Sequence, residues 1–276
     1  MALNMPTFYK RTGSAIVFGA IMLTGLLWDN EWAFLTLIAV INVLCLHDYF
    51  RLMQKIDKTA HWPAWLPYKF YFISLLLLIT FSWQGGGTPE TVLWGIFRLM
   101  PLAIPGLLMA VTLFKRTSLL ALWQAIGGLF YITLPMIFLG YMHRHDALLP
   151  MSLVALIWVN DTMAYIVGSF IGKTPFSPIS PKKTWEGTAG GGILTILAAI
   201  TYGRLSHQYR VVDWIAIATL VAVFGTLGDL MESKLKRMAD VKDSGNMMPG
   251  HGGAMDRFDS LLVAAPVVFV YVLWFM

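Results

Sequence analysis

Charged side chains are scarce in this 276-residue chain: Asp, Glu, Lys and Arg together make up 13%, where a soluble globular domain carries about 25%. With 57% hydrophobic residues and a mean hydropathy of +0.66, too little polar surface is left for a water-soluble globule. Cysteine is nearly absent. The single Cys45 excludes an intramolecular disulfide, and its place inside an apolar run suits packing better than thiolate chemistry. No internal repeat stands out, which argues against solenoids and inverted-repeat architectures. Lys10 and Arg11 precede an apolar stretch, but no small-residue cleavage site follows, so that stretch reads as a first span.

Apolar runs are what the chain has in quantity. Windows of about 20 residues, enough to cross about 30 Å of hydrocarbon, predict an all-α, polytopic integral membrane protein with about nine transmembrane helices. The candidates are Ser14 to Leu27, Trp32 to Phe50, Phe70 to Trp83, Thr91 to Phe114, Leu119 to Tyr141, Pro150 to Phe170, Gly187 to Tyr202, Val211 to Leu230 and Phe258 to Phe275. Pro101 and Pro105 should bend the fourth. Three regions follow: 1–90, N-terminal helices and an amphipathic connector; 91–149, middle helices; and 150–276, where the polar motifs concentrate.

A cytoplasmic N-terminus puts 16 of the 20 Lys and Arg residues inside, leaving Arg144, Arg204 and Arg210 outside and Arg98 beside the fourth span. This satisfies the positive-inside rule, and one helix more or fewer near the middle would largely erase the bias. The net charge of +5 therefore needs no nucleic-acid partner; basic loops beside anionic lipid account for it. Eight of the 16 inner charges fall in two loops, Gly172 to Glu186 and Met231 to Arg257, which also hold the polar motifs.

Near the end of the sixth candidate stand Asn160 and Asp161, in apolar sequence where an unpaired charge costs at least about 2.5 kcal/mol. Such a carboxylate needs a partner, either an interhelical or lysine contact or a ligand. The next loop carries Ser180, Lys182, Lys183, Thr184 and Glu186 among three prolines, which suits a phosphate near a helix start but equally an ordinary basic juxtamembrane loop. Gly187, Gly190, Gly191 and Gly192 have no predicted strand before them and read as close helix packing, not a nucleotide loop.

The most specific stretch contains Asp229, Glu232, Ser233, Lys236, Arg237, Lys242, Asp243, Pro249, His251, Gly252, Gly253, Asp256, Arg257 and Asp259. Asp229 and Glu232 lie three apart at one helix end, and Asp256 and Asp259 three apart at the start of another, so each pair shares a face. Paired carboxylates beside Lys and Arg suit divalent cations and phosphate oxygens. Asp259 reads first as a helix cap or ion-pair partner, and His251 equally as a loop or ligand-contact residue. Intramembrane carboxylates also occur in ion-coupled transporters, but clustering at one face argues against that alternative.

From Ser233 to Asp259 the pattern resembles the signature of phosphatidate cytidylyltransferases (CDP-diacylglycerol synthases), and the stretches Asn160 to Tyr165 and Ser180 to Gly187 are also similar to that family's. The resemblance covers about the C-terminal 120 residues; the first half matches in hydropathy only. Met248, Ala254 and Ser169 depart from the usual pattern, and none of them removes a charged motif position. The resemblance implies transfer of the cytidylyl group of CTP to phosphatidate, giving CDP-diacylglycerol and pyrophosphate, in a bacterial inner membrane with the site facing the cytoplasm. It leaves open an ether-linked or other lipid phosphate as acceptor. It implies Mg²⁺, with a second cation compatible, and a homodimer. By resemblance Asp229, Asp256 and Asp161 are the expected metal ligands, and Lys236, Arg237, Lys242 and Arg257 serve the reaction. Asn160, Ser180, Lys182, Lys183, Thr184, Glu186, Ser233 and His251 are assigned to binding.

Overall fold

A computed structural model describes residues 19–28, 30–83, 118–247 and 252–276. Residues 19–27 are helical, followed by seven helices: α1 (Glu31–Ile56), α2 (Leu66–Trp83), α3 (Leu119–His145), α4 (Leu148–Ile171), α5 (Trp185–Ser206), α6 (Val211–Met238) and α7 (Met255–Phe275). The fourth candidate span and residues 14–18 of the first lie outside the described residues. Among the described helices α1, α3, α4, α6 and α7 are long and apolar enough to cross a membrane. The 18 residues of α2 form a shorter apolar helix, and glycines dilute the hydropathy of α5.

One expectation needs correction. Between α4 and α5 the chain forms an antiparallel hairpin, β1 (Pro175–Ser177) and β2 (Ser180–Thr184), so the described fold is helical with one small exception and a strand does precede the glycine run. Prolines and lysines hide the hairpin from any alternation pattern; backbone pairing and the turn between Ser177 and Ser180 make it. The close-packing reading of the glycines holds. A Cβ on Gly191 would lie 2.7 Å from Ala164 Cβ and 2.8 Å from its backbone nitrogen, and one on Gly190 would collide with Val167. Small residues therefore bring α5 onto α4, a common way for membrane helices to pack where lipid offers no hydrophobic drive.

Side-chain contacts define two ends of the bundle. At one, Arg144 meets Glu31 at 3.8 Å and donates to the Ser82 carbonyl, Tyr209 donates to Asp146 at 2.7 Å, and Arg210 donates to the Phe275 carbonyl at 3.0 Å. At the other, Trp62 donates to Gln124 at 3.2 Å and the hairpin, residues 239–247 and the start of α7 gather. Fifteen of the 20 Lys and Arg residues are described; three (Arg144, Arg204, Arg210) sit at the first end and twelve at the second. The middle is packed by α1, α3 and α7, with Phe138 stacked on Phe269 at 4.2 Å.

Candidate active site

At the basic end, α4, β2, α6 and α7 enclose a cleft of about 860 Å³. Helix α6 reaches it after a π-helical turn at Val221–Gly225, whose extra residue offsets the faces before and after it. Gly228 then lets α6 touch α7: a Cβ there would lie 2.5 Å from the Asp259 carbonyl oxygen and 3.1 Å from Ser260 Cα. That close crossing sets Asp229 beside Asp259. Asp229, Glu232 and Asp259 each offer a carboxylate oxygen within 4.8 Å of the others.

Each carboxylate has a different set of neighbours. Asp229 is ion-paired with Lys183 from β2 and accepts from Ser233 Oγ at 3.3 Å. Glu232 is fully buried; Lys236 Nζ stands against Oε2, but neither oxygen accepts a well-formed hydrogen bond among the described residues. Asp256 is heavily engaged: Oδ1 accepts from Lys236 Nζ at 2.7 Å, and Oδ2 accepts from Ser244 N at 2.9 Å, Ser244 Oγ at 3.0 Å and Gly253 N at 2.7 Å. Gly252, at φ 84°, adopts the left-handed conformation glycine tolerates, and a Cβ there would run into Asp256. Lys236 thus bridges α6 to the first turn of α7.

Asp229 therefore meets Glu232 and Asp259 directly, and Asp256 lies beside Glu232, the two sharing Lys236. Asp259, expected as a cap or ion-pair partner, opens into the cleft, although Oδ1 does accept from Ser260 N at 2.6 Å. Three acidic side chains with converging oxygens suit a hard cation such as Mg²⁺.

The cleft is also lined by Asn160, Asp161, Lys182, Lys183, Thr184, Lys236, Asp256 and Arg257, all expected, and by Tyr165, Asp243 and Thr226, which were not assigned to binding. Ser180 pairs with Ser177 inside the hairpin, and Arg237 and Lys242 are exposed outside the cleft lining. Thr184 caps α5, accepting from Gly187 N at 3.1 Å. Glu186 is spent on the loop itself, accepting from Lys173 N and Thr174 N at 3.1 Å each and from Thr174 Oγ1 at 2.8 Å. Its own backbone N–H and these donors push the Glu186 carboxyl down to about 2. His251 lies outside the described residues. A second, almost wholly apolar groove of about 470 Å³ runs between α5 and α6 and shares Thr188 and Thr226 with the cleft.

The chain is 47% identical over 115 residues to a phosphatidate cytidylyltransferase of Bacillus subtilis, covering 41% of this chain and 43% of that protein. It is 35% identical over 173 residues to one of Aquifex aeolicus, covering 62% and 65%. The matches thus span less than two thirds of either relative. An Escherichia coli K12 protein named uncharacterized protein YnbB is 32% identical over 263 residues, covering 88% of this chain and 80% of its own. The sequence model of the cytidylyltransferase family matches residues 9–275, taking in the helices before the cleft as well as those that build it. On that near-complete match, the chain belongs to the cytidylyltransferase family.

Proposed function

We propose that the protein transfers the cytidylyl group of CTP to phosphatidate, releasing pyrophosphate and forming CDP-diacylglycerol. The observation that carries this reading is the cleft lined by Asp229 and Asp259 among Lys182, Lys183, Lys236 and Arg257, with Glu232 buried against the two acids and an apolar groove alongside. It fits a reaction between two phosphates, one of them on a lipid. A phosphate oxygen of the acceptor attacks the α-phosphorus as the bond to the β-phosphate oxygen breaks. Since that oxygen is already anionic, the obstacles are repulsion and alignment, not proton removal.

Lys183 and Lys236 are held by Asp229 and by Glu232 with Asp256, so both cations are positioned before substrate arrives. With Lys182 and Arg257 they can offset the charge of the triphosphate and the lipid phosphate. Asp229, Glu232 and Asp259 would hold a divalent cation, with Asp161 on the cleft wall; Asp256 joins them if Lys236 releases Oδ1. A bound Mg²⁺ would supply charge neutralisation and alignment of the polyphosphate. The groove between α5 and α6 suits an acyl chain whose phosphate enters the cleft past Thr188 and Thr226.

Nine spans, a cytoplasmic N-terminus and a bacterial inner-membrane location belong to the same proposal, supported by the 16 to 4 charge partition and the basic end of the bundle. A homodimer remains the family-level expectation. Purified protein given CTP, phosphatidate and Mg²⁺ should release pyrophosphate and lipid product together, with other nucleotides and an ether-linked phosphatidate as controls. Neither product at any metal concentration would overturn the reading.

A further inference from the structure

The cleft is built by the second half of the chain, yet one buried acid from the first half reaches its supporting loop. Asp48, on α1, is 4% exposed and does not line the cleft. Its Oδ2 accepts from Ser244 Oγ at 3.2 Å and from Met255 N at 3.2 Å, near the two ends of the connection between α6 and α7. Gly245 and Gly253 close over the same carboxylate, since a Cβ on either would run into it.

We infer that Asp48 is a positioning residue: it sets the orientation of the first turn of α7, and so of Asp256, Arg257 and Asp259, without touching substrate. Met255 is the first residue of α7, so its N–H is one of the donors a helix start leaves without an intrahelical partner. Asp48 fixes that donor and adds a negative charge where the helix dipole favours one. Through Ser244 it is also linked to Asp256: the Ser244 hydroxyl lies 3.2 Å from Asp48 Oδ2 and 3.0 Å from Asp256 Oδ2 and can donate its one proton to either. A shift at Asp48 therefore reaches Asp256 by two routes, the helix start and the serine.

This inference rests on the cleft being the reaction site, so its test has an arm independent of activity. In detergent, Asp48→Ala should speed amide hydrogen exchange in peptides covering 239–258 while leaving 31–47 protected. In the CTP assay it should lower kcat about 10- to 100-fold, the range seen when groups supporting a reactive site are lost, with KM for the lipid little changed. Asp48→Asn, which keeps one acceptor oxygen and the side-chain shape, should fall between. Asn42→Ala is the structural control: Asn42 is buried on the same helix and donates to Ser74 at 3.0 Å, away from the loop. Its thermal midpoint should drop while kcat is retained. Equal losses of kcat in Asn42→Ala and Asp48→Ala at matched stability, or unchanged kcat in Asp48→Ala, would overturn the inference. If the wild type makes no product, exchange alone decides: unchanged rates at 239–258 in both Asp48 variants would refute the coupling.

Discussion

Asp229 and Lys183 form an ion pair between the hairpin and α6, and they have opposite tasks once phosphate enters: the acid can hold a cation and the lysine can meet an anion. Replacing Asp229 by Asn should cut CTP-dependent turnover roughly 100-fold or more, on the scale of losing one preorganised charged group in a reactive site, while membrane insertion is kept. Radiolabelled CTP incorporation into lipid, read beside the yield of membrane protein, checks it; near-normal turnover would remove Asp229 from the metal set. Glu186 makes a different prediction. Its carboxyl lies below its ordinary value, at about 2, because backbone and Thr174 donors favour the ionised form. A depressed value contributes stability that is present above the unfolded pKa of about 4.3 and is lost as pH falls toward about 2. The loop tether should thus be indifferent to pH between 8 and roughly 5, then weaken in acid. Glu186→Gln should loosen it at neutral pH, read as faster proteolysis within 172–184; equal protection in both proteins at neutral pH would count against the tether.

At the scale of elements, the site depends on two close helix crossings. Gly191→Leu forces α5 away from the backbone of Ala164, and overpacking of this kind costs roughly 1–3 kcal/mol. The thermal midpoint in detergent should fall, whereas Ala189→Leu, on the same helix but exposed along the apolar groove, should be tolerated. Equal midpoints for the two variants would mean that α4 and α5 do not need this approach. The spacing of apolar residues predicted α3, α4, α5 and α7 to within four residues at each end and the start of α6, whose polar last two turns run eight residues past the expected end, because each span must satisfy its own backbone in lipid by helical hydrogen bonds. The hairpin was not legible. Its strands are three and five residues long, and their pairing comes from the fold, not from a hydrophobic pattern.

Over the whole molecule, the charge distribution and the bundle describe one polarity. Cys45 is buried, which leaves a quiet background for single-cysteine labelling. Lys173→Cys, at the cleft end, should react with a membrane-impermeant thiol reagent only from the cytoplasmic side, and Gln208→Cys, at the other end, only from outside. The reverse labelling would invert the orientation and separate the cleft from cytoplasmic CTP.

Composition alone determined that the chain lives in a membrane, and local spacing determined which carboxylates share a helix face: Asp229 with Glu232, and Asp256 with Asp259. The signature residues were legible for the same reason, since they lie close together along the chain. Which pairs meet was decided by packing. Gly228 brings Asp259 to Asp229, whereas Lys236 and the donors of Ser244 and Gly253 fix Asp256 beside Glu232. Asp48 gave no signal in the sequence; it stands near the end of an apolar run, 196 residues before Ser244. Helical periodicity carries information over a few residues, but a contact between residues 196 apart exists only once α1 is packed against the start of α7.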